Sequence, residues 1–527
     1  MSNIAQAQEH KTYSAYGDQS ELVAGKSITL LDGFHVTQGS NVRIYIGFSC
    51  EPFVSAPSLN RNYIITRTFK IPGVNANNLN AARNLCEENQ VVQYYDGIGR
   101  PLQTVTIGGS PSGNDVIQPT AYDALGREAV KYERYTATSN GGGYRADALQ
   151  PGAGQSAFFN SPPSGVYGSS TPFSVTKFEA NPLNRIAEQG FPGNAWQPQD
   201  ANISGSGHTS KSEYGANMGT EVRLWIVTSS GASSSSYHSE GKLHKTVSKN
   251  ENWVSSDSKA GTVEEFKDFE DKVLLRRLWE TDTKSLSTYY LYDDFGNMRY
   301  VLPPAVNENG QATLASFTET DQVFKNFIYG YHYDGRRRLV KKHIPEKGWE
   351  HMVYNLLDQL VLSQDEVQRG KTTPEWNFTK YDAFGRVIIT GILASNTTRE
   401  SYQSSLDSQN APLWENRDNN ATSQTGYTNV SLPAVSLTDC YVLNYYDDYD
   451  FLGNTFGLPT GSQASGMLTK TLLTGTKVRT IGSTQWYLTT NYYDDEGRVV
   501  QSKTQHHLSG IDQVDNSYSY IGELIAS

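Results

Sequence analysis

One phrase recurs along this chain of 527 residues and limits what it can fold into. It first reads Tyr95-Asp96-Gly97-Ile98-Gly99-Arg100. It returns with Tyr122, Asp123, Gly126 and Arg127, then with Tyr292, Asp293 and Gly296. Two further copies carry Tyr381, Asp382, Gly385 and Arg386, and Tyr493, Asp494, Gly497 and Arg498. Before the first copy, VVQYY is rich in β-branched and aromatic residues; after it, PLQTVTI alternates Leu102, Thr104 and Thr106 against Gln103, Val105 and Ile107. Both flanks read as strands. The Asp opens a turn, because its carboxylate accepts the backbone N–H two residues on. The Gly three residues later supplies the positive φ of a G1 bulge. The phrase therefore encodes a β-hairpin.

The copies form an array. Tyr95 and Tyr122 are 27 residues apart, as are Tyr354 and Tyr381. VYNLLDQLV (353–361) reads as a degenerate copy that keeps Tyr354 and Asp358 and loses the glycine. YHYDGRRRLV (331–340) reads as shortened, and NYYDDYDFLGNTFG (444–457) as enlarged in its turn. A single hairpin cannot bury its own apolar face, so successive units stack. The expected fold is all-β, a long curved or spiralling antiparallel sheet with tyrosine ladders between units. Arg100, Arg127, Arg386 and Arg498 share one position. They either pair with carboxylates of a neighbouring hairpin or stand as solvated charges that protect a strand edge.

Composition agrees with β-structure rich in turns, with 33 Tyr and 46 Gly, and 37% hydrophobic and 11% aromatic residues are too many for an unfoldable polyelectrolyte. The net charge of −11 argues against a nucleic-acid partner. Cys50, Cys86 and Cys440 are too few for a disulfide framework, and the chain is expected to lack disulfides. No stretch has the roughly 20 apolar residues that span a bilayer as a helix. Ala5-Gln6-Ala7 resembles the end of a signal peptide whose upstream part precedes this chain. An ordinary frayed terminus is the other reading.

The recurring Y-D-x-x-G-R/N at 95–100, 122–127, 292–297, 381–386 and 493–498 resembles the YD repeat of the bacterial Rhs family. Residues 333–338 and 354–361 resemble it loosely. The region from about 60 to 200, with RTFKIPGVN and FPGNAWQP, is similar to the domain that precedes these repeats in Rhs-like proteins of Bacteroidetes. SITLLDGFHVTQGSNVRIYI (27–46) resembles a short β motif of surface proteins from that phylum. The resemblance implies a spiralling sheet that closes as a hollow shell. In polymorphic toxin systems such a shell holds a toxic C-terminal domain. The core segment with an aspartate-dependent self-cleavage site and a D-P-x-G-L-type motif has no match here. The chain therefore reads as the N-terminal part of a larger shell or as a short form.

Three regions are expected: a small β segment over 1–58, an Rhs-associated domain with the first hairpins over 59–204, and a repeat wall over 205–527. The Gly/Ser/Pro-rich stretch 138–173 reads as a long surface excursion. Residues 75–89 and 309–327 are the best helix candidates.

Chemical sites are scarce. There is no C-x-x-C, H-E-x-x-H, Walker A or G-x-S-x-G pattern. A turn-bound Ca²⁺ at Asp447, Asp448 and Asp450 competes with an ordinary polar turn, and an EF-hand fails at Leu452 and Pro459. The basic run 335–343 reads as a solvated face or a complement to local carboxylates. No catalytic residue, metal ligand or cofactor is assigned, and the chain is expected not to be an enzyme. The expected role is structural: a secreted or cell-surface protein that encloses or carries a toxin or effector domain absent from this chain. Its partners would be the rest of a larger Rhs polypeptide, the enclosed domain, secretion machinery or surface proteins. The alternative is an adhesin-like module that binds glycan or protein through a Tyr/Trp-rich surface at residues such as Trp349, Trp376 or Trp486.

Overall fold

A computed structural model describes residues 10–17, 21–24, 27–37, 39–40, 42–46, 54–306, 314–457, 468–519 and 522–527. Ala5-Gln6-Ala7 and residues 309–313 of one helix candidate lie outside them. The fold is all-β with four short α-helices among the described residues. None of the described helices is long and apolar enough to cross a membrane. The chain divides into two compact units, residues 1–214 with 246–262, and residues 215–245 with 263–527.

In the first unit, His10–Tyr13 pairs in parallel with Ser27–Leu30, and Glu21–Ala24 with Arg43–Ile46. A five-stranded antiparallel meander follows: Asn62–Phe69, Glu88–Tyr95, Pro101–Thr106, Asp115–Pro119 and Tyr135–Ala137. Strict alternation puts Val92, Tyr94, Val105, Ile107 and Ile117 on one buried face. The glycine-rich stretch after residue 138 covers that face instead of looping into solvent. Tyr94 donates its hydroxyl to Gly142 O at 2.7 Å, and Ala148 joins the core. Gln103 and Arg145 exchange two hydrogen bonds. The buried Asp115 carboxylate accepts from Ser139 Oγ at 2.7 Å and Asn140 N–H at 3.1 Å. The excursion reading fails around residues 141–155, because glycine lets backbone approach the sheet closely: a Cβ on Gly142 would meet Ile107 and Val92 at 2.9 Å; residues 163–168 are exposed as that reading expects.

The helix expected over 75–89 is absent; its described residues form turns and the start of strand Glu88–Tyr95. Its asparagines bind local backbone, which competes with helix. Asn84 Oδ1, for example, accepts from the N–H of Cys86 and of Glu87. Within 309–327 the helix shrinks to Gln322–Phe327, preceded by the strand Ser316–Thr318. The expectation of no disulfide is also corrected: Cys86 is disulfide-bonded, while Cys440 is free and buried. A single bridge needs two thiols, not the dense framework the cysteine count excludes.

The second unit is dominated by fifteen antiparallel strands that pair in sequence order, from Val263–Lys267 to Ile511–Asp515. Its connections are not all hairpins. Arg223–Thr228, Gly231–Tyr237 and Ser316–Thr318 form a separate three-stranded sheet. Ala232 and Phe317 of that sheet pack on Phe266, Tyr289, Tyr300 and Leu302 of the long one. The 395–439 insertion, with helix Arg399–Ser408, brings Leu406, Tyr427 and Val435 against Trp376, Phe378, Ile389 and Leu443. One face of the meander is thus a core lidded by insertions.

Candidate functional site

The repeated turn has one geometry. In the copy at Asp382, its N–H donates to Arg386 O at 3.0 Å, and the Gly385 N–H donates to Asp382 O at 3.0 Å. Asp382 Oδ1 accepts the N–H of Phe384 and of Arg386, and Oδ2 accepts Arg386 Nε at 2.6 Å. Gly385 sits at φ +77°. The register shifts between Lys380 and Tyr381, the bulge that the positive φ produces. Asp96, Asp123 and Asp494 hold Gly99, Gly126 and Gly497 and grip Arg100, Arg127 and Arg498 in the same way. Asp293 and Gly296 do so with Asn297 in place of the arginine.

The electrostatics follow from these bonds. The Arg100 and Arg127 backbone N–H groups hold Asp96 and Asp123 below the usual carboxylate range, although desolvation opposes them. Burial pushes Asp494 up, and the Arg498 N–H and guanidinium outweigh it, so that carboxylate too is held down.

Several copies were hidden in the sequence. Residues 333–338 are not shortened: Asp334 caps the turn, and Arg337 stands at the glycine position with φ +61°. In 354–359 the capping residue is Asn355, and Asp358 is the glycine surrogate at φ +61° rather than the turn-opening acid. Asp268, with Asp271 at φ +62°, makes a turn the pattern missed altogether. Its signal was a capping side chain three residues before one that tolerates the left-handed region, with strands on both sides.

Successive turns are tethered. Tyr122 donates its hydroxyl to Pro101 O at 2.9 Å, and Tyr381 to Leu360 O at 2.8 Å. Tyr354 reaches Leu339 O, Tyr446 reaches Val387 O and Tyr518 reaches Val499 O in the same manner. Each acceptor is the first residue after the preceding turn, so each tyrosine locks its hairpin to the one before. Tyr493 to Leu473 O at 2.7 Å extends the series. Burial pushes the hydroxyls of Tyr122, Tyr354, Tyr381, Tyr446 and Tyr493 up, which keeps them protonated and donating.

The arginine of one turn lies over the aromatic ring of the next. Arg100 is 4.4 Å from the Tyr122 ring centroid, Arg386 4.4 Å from Tyr446 and Arg498 5.0 Å from Tyr518. It also lies under the next glycine: a Cβ on Gly126 would meet Arg100 Nη1 at 2.9 Å. The arginines thus act in their own turn and in the following one. Arg338 pairs with Asp334 at 2.7 Å and with Asp358 at 2.9 Å. The basic run 335–343 is, to that extent, a complement to local carboxylates.

Asp447 is likewise engaged. It accepts from Arg386 Nη1 and Nη2 at 2.9 and 2.7 Å and from Thr471 N–H at 2.6 Å. These bonds, the Arg386 pair first, pull its pKa down to about 2. The calcium reading therefore loses its first ligand to a guanidinium. Among the described residues no cluster of three His, Cys, Asp or Glu is placed to hold a metal ion. Trp376 is buried, Trp349 stacks on Phe324, and Trp486 packs against the core, so none of the three forms an open platform.

Residues 66–210 match a family described as a domain of unknown function, DUF6443. No curated protein matches the chain. Among solved structures it is similar to "Crystal Structure of TcdB2-TccC3 without hypervariable C-terminal region", at 13% identity and a TM-score of 0.36, over 84% of this chain and 19% of that one. It is similar also to "Crystal Structure of TcdB2-TccC3", at 13% identity and a TM-score of 0.35, over 83% of this chain and 20% of that one. The chain spans about a fifth of the length of these two chains.

Proposed function

We propose that this chain is a wall-forming segment of a larger Rhs/YD-repeat polypeptide, secreted or displayed at a cell surface, which encloses or carries a toxin or effector domain encoded elsewhere in that polypeptide. The observation that carries this reading is the tether of Tyr122, Tyr354, Tyr381, Tyr446, Tyr493 and Tyr518 to the turn before each. A hairpin so attached has its binding surface made by its predecessor, so the sheet grows unit by unit, as repeat arrays do. The role is steric and needs no reacting group. The disulfide at Cys86 favours an oxidising compartment. The adhesin-like reading would need an open aromatic platform, and the three tryptophans proposed for it are built into packing.

The test is proteolysis of the whole polypeptide that contains this chain. A protease site is inserted at Ser230, in the tight turn between Arg223–Thr228 and Gly231–Tyr237. Enclosure is supported if the cargo survives protease in the parent polypeptide and is cut once the wall is nicked and unfolded. Equal cleavage of the cargo in both would overturn it.

A further inference from the structure

Lys380 breaks the rule of its own repeat. The residue before the motif tyrosine is the buried Tyr94, Leu291, Val353, Tyr445 or Tyr492 in five other copies, and the half-buried Ala121 or His332 in two more. At 380 it is a lysine on strand Glu375–Tyr381, on the same face as the buried Trp376 and Phe378. Its side chain is 1% exposed, and its partner Glu415, 2.6 Å away, is 0% exposed. Nζ also donates to Asn429 Oδ1 at 2.9 Å and Ser431 O at 2.9 Å. Tyr427, Val435 and Cys440 complete the dry surroundings.

An amine, a carboxylate and a carboxamide therefore meet in a low-dielectric core. The carboxamide is oriented: Asn429 Nδ2 donates to Val435 O at 2.8 Å, and Val435 N–H donates to Oδ1 at 3.3 Å. Glu415 is fixed by Ser431 N–H at 3.0 Å, Ser431 Oγ at 2.6 Å, Thr428 Oγ1 at 2.6 Å and Val430 N–H at 2.9 Å. Burial lowers the pKa of Lys380 despite the opposing charge of Glu415; burial pushes Glu415 up, but the Lys380 charge and the hydrogen bonds from Lys380, Ser431 and Thr428 outweigh it and hold that carboxyl down. Loss of a proton makes it a nucleophile. A buried pair serving only to hold the insertion would be no better than apolar packing.

We propose that Lys380, Glu415 and Asn429 form a self-modifying site in which Lys380 Nζ becomes joined to Asn429 Cγ by an isopeptide bond, with release of ammonia. Glu415 takes a proton from the Lys380 ammonium. The free amine attacks Cγ, an Nζ–Cγ bond forms, and the carbonyl electron pair moves onto Oδ1, where Val435 N–H faces it. Glu415 delivers its proton to Nδ2 and takes a second from Nζ. The Cγ–Nδ2 bond breaks, the carbonyl re-forms, and ammonia leaves, taking the remaining proton from Glu415 as ammonium. No oxidant or reductant is consumed. Glu415 is the catalytic residue. The product staples the 395–439 insertion to the strand beneath it and closes a covalent loop between residues 380 and 429.

Intact mass and peptide mapping of the reduced, purified protein test this. The expected mass is the sequence mass less one ammonia. Trypsin is expected to spare Lys380 and to leave residues 372–386 joined to residues 418–470. Glu415→Gln and Asn429→Ala should each restore the sequence mass and normal cleavage after Lys380. Native β-sheet circular dichroism identifies variants that still fold, and the wild-type mass stands as a test if neither does. An unmodified wild-type mass overturns the proposal. So does ammonia loss with the two peptides still separate, which would mark a succinimide at Asn429. Ammonia loss with joined peptides in folded Glu415→Gln would overturn the role of Glu415.

Discussion

Arg386 binds Asp447 through both terminal nitrogens, at 2.9 and 2.7 Å, while its Nε holds Asp382 in its own turn at 2.6 Å. One guanidinium thus closes a turn and fastens the next hairpin to it, with its central carbon 4.4 Å from the Tyr446 ring centroid. Fork geometry makes this possible, and a lysine could not do both.

Removing that fork should loosen two hairpins together. Arg386→Leu is expected to destabilise the second unit by about 1–3 kcal/mol, the range for charge-assisted hydrogen bonds with partly exposed partners. Arg386→Lys should recover only part of it. Urea unfolding followed by circular dichroism measures both.

Acid should act on the same pair. Folded Asp447 titrates near pH 2, and the unfolded carboxylate near pH 4, so between these values the unfolded chain binds more protons. The stability this carboxylate contributes is complete above about pH 4 and is lost as pH falls through about 2. Asp447→Asn should be less stable at neutral pH and show a shallower decline over that window in pH-dependent urea midpoints.

The glycine position distinguishes steric demand from mere tolerance. Gly126→Val should cost more than Gly126→Asn, because a β-branched residue at φ +78° is strained and both would meet Arg100. Arg337→Gly should raise stability by about 0.5–1 kcal/mol, since a side chain in the left-handed region costs roughly 1–2 kcal/mol and glycine's entropy offsets part of the gain. Thermal melts of the three variants check this, and a destabilised Arg337→Gly would contradict it.

The tyrosine tether should be separable from its ring. Tyr381→Phe keeps the packing and removes the bond to Leu360 O, at an expected cost of about 0.5–1.5 kcal/mol. Tyr381→Ala should cost several times more. Denaturant midpoints provide the comparison.

Cys440 should resist alkylation. It is fully buried, and that burial pushes its thiol pKa up to about 12. Iodoacetamide at pH 8 is expected to label it only after unfolding, and mass spectrometry reads the difference.

The turns were legible because they are local. Asp382 and Gly385 meet within four residues, so their type and spacing alone require the bulged hairpin. All-β character and sequential pairing followed from the same phrase. The surrogates Arg337, Asp358 and Asp271 were not legible as such, because any residue can be forced into the left-handed region when the flanking strands pair strongly enough. Long-range partners were also hidden. Nothing near Arg386 in sequence names Asp447, which stands 61 residues on. The 138–173 stretch looked like a surface loop because its glycines carry no apolar pattern, yet they let backbone lie on Val92 and Ile107. Nothing beside Lys380 in sequence marks its burial, because Glu415 and Asn429 stand 35 and 49 residues on. The sequence by itself determined the hairpin unit, since a turn's energy depends on neighbours along the chain. Tertiary structure alone decided which turn each arginine reaches, what covers the sheet and which charges are dry, because those depend on residues that only folding brings together.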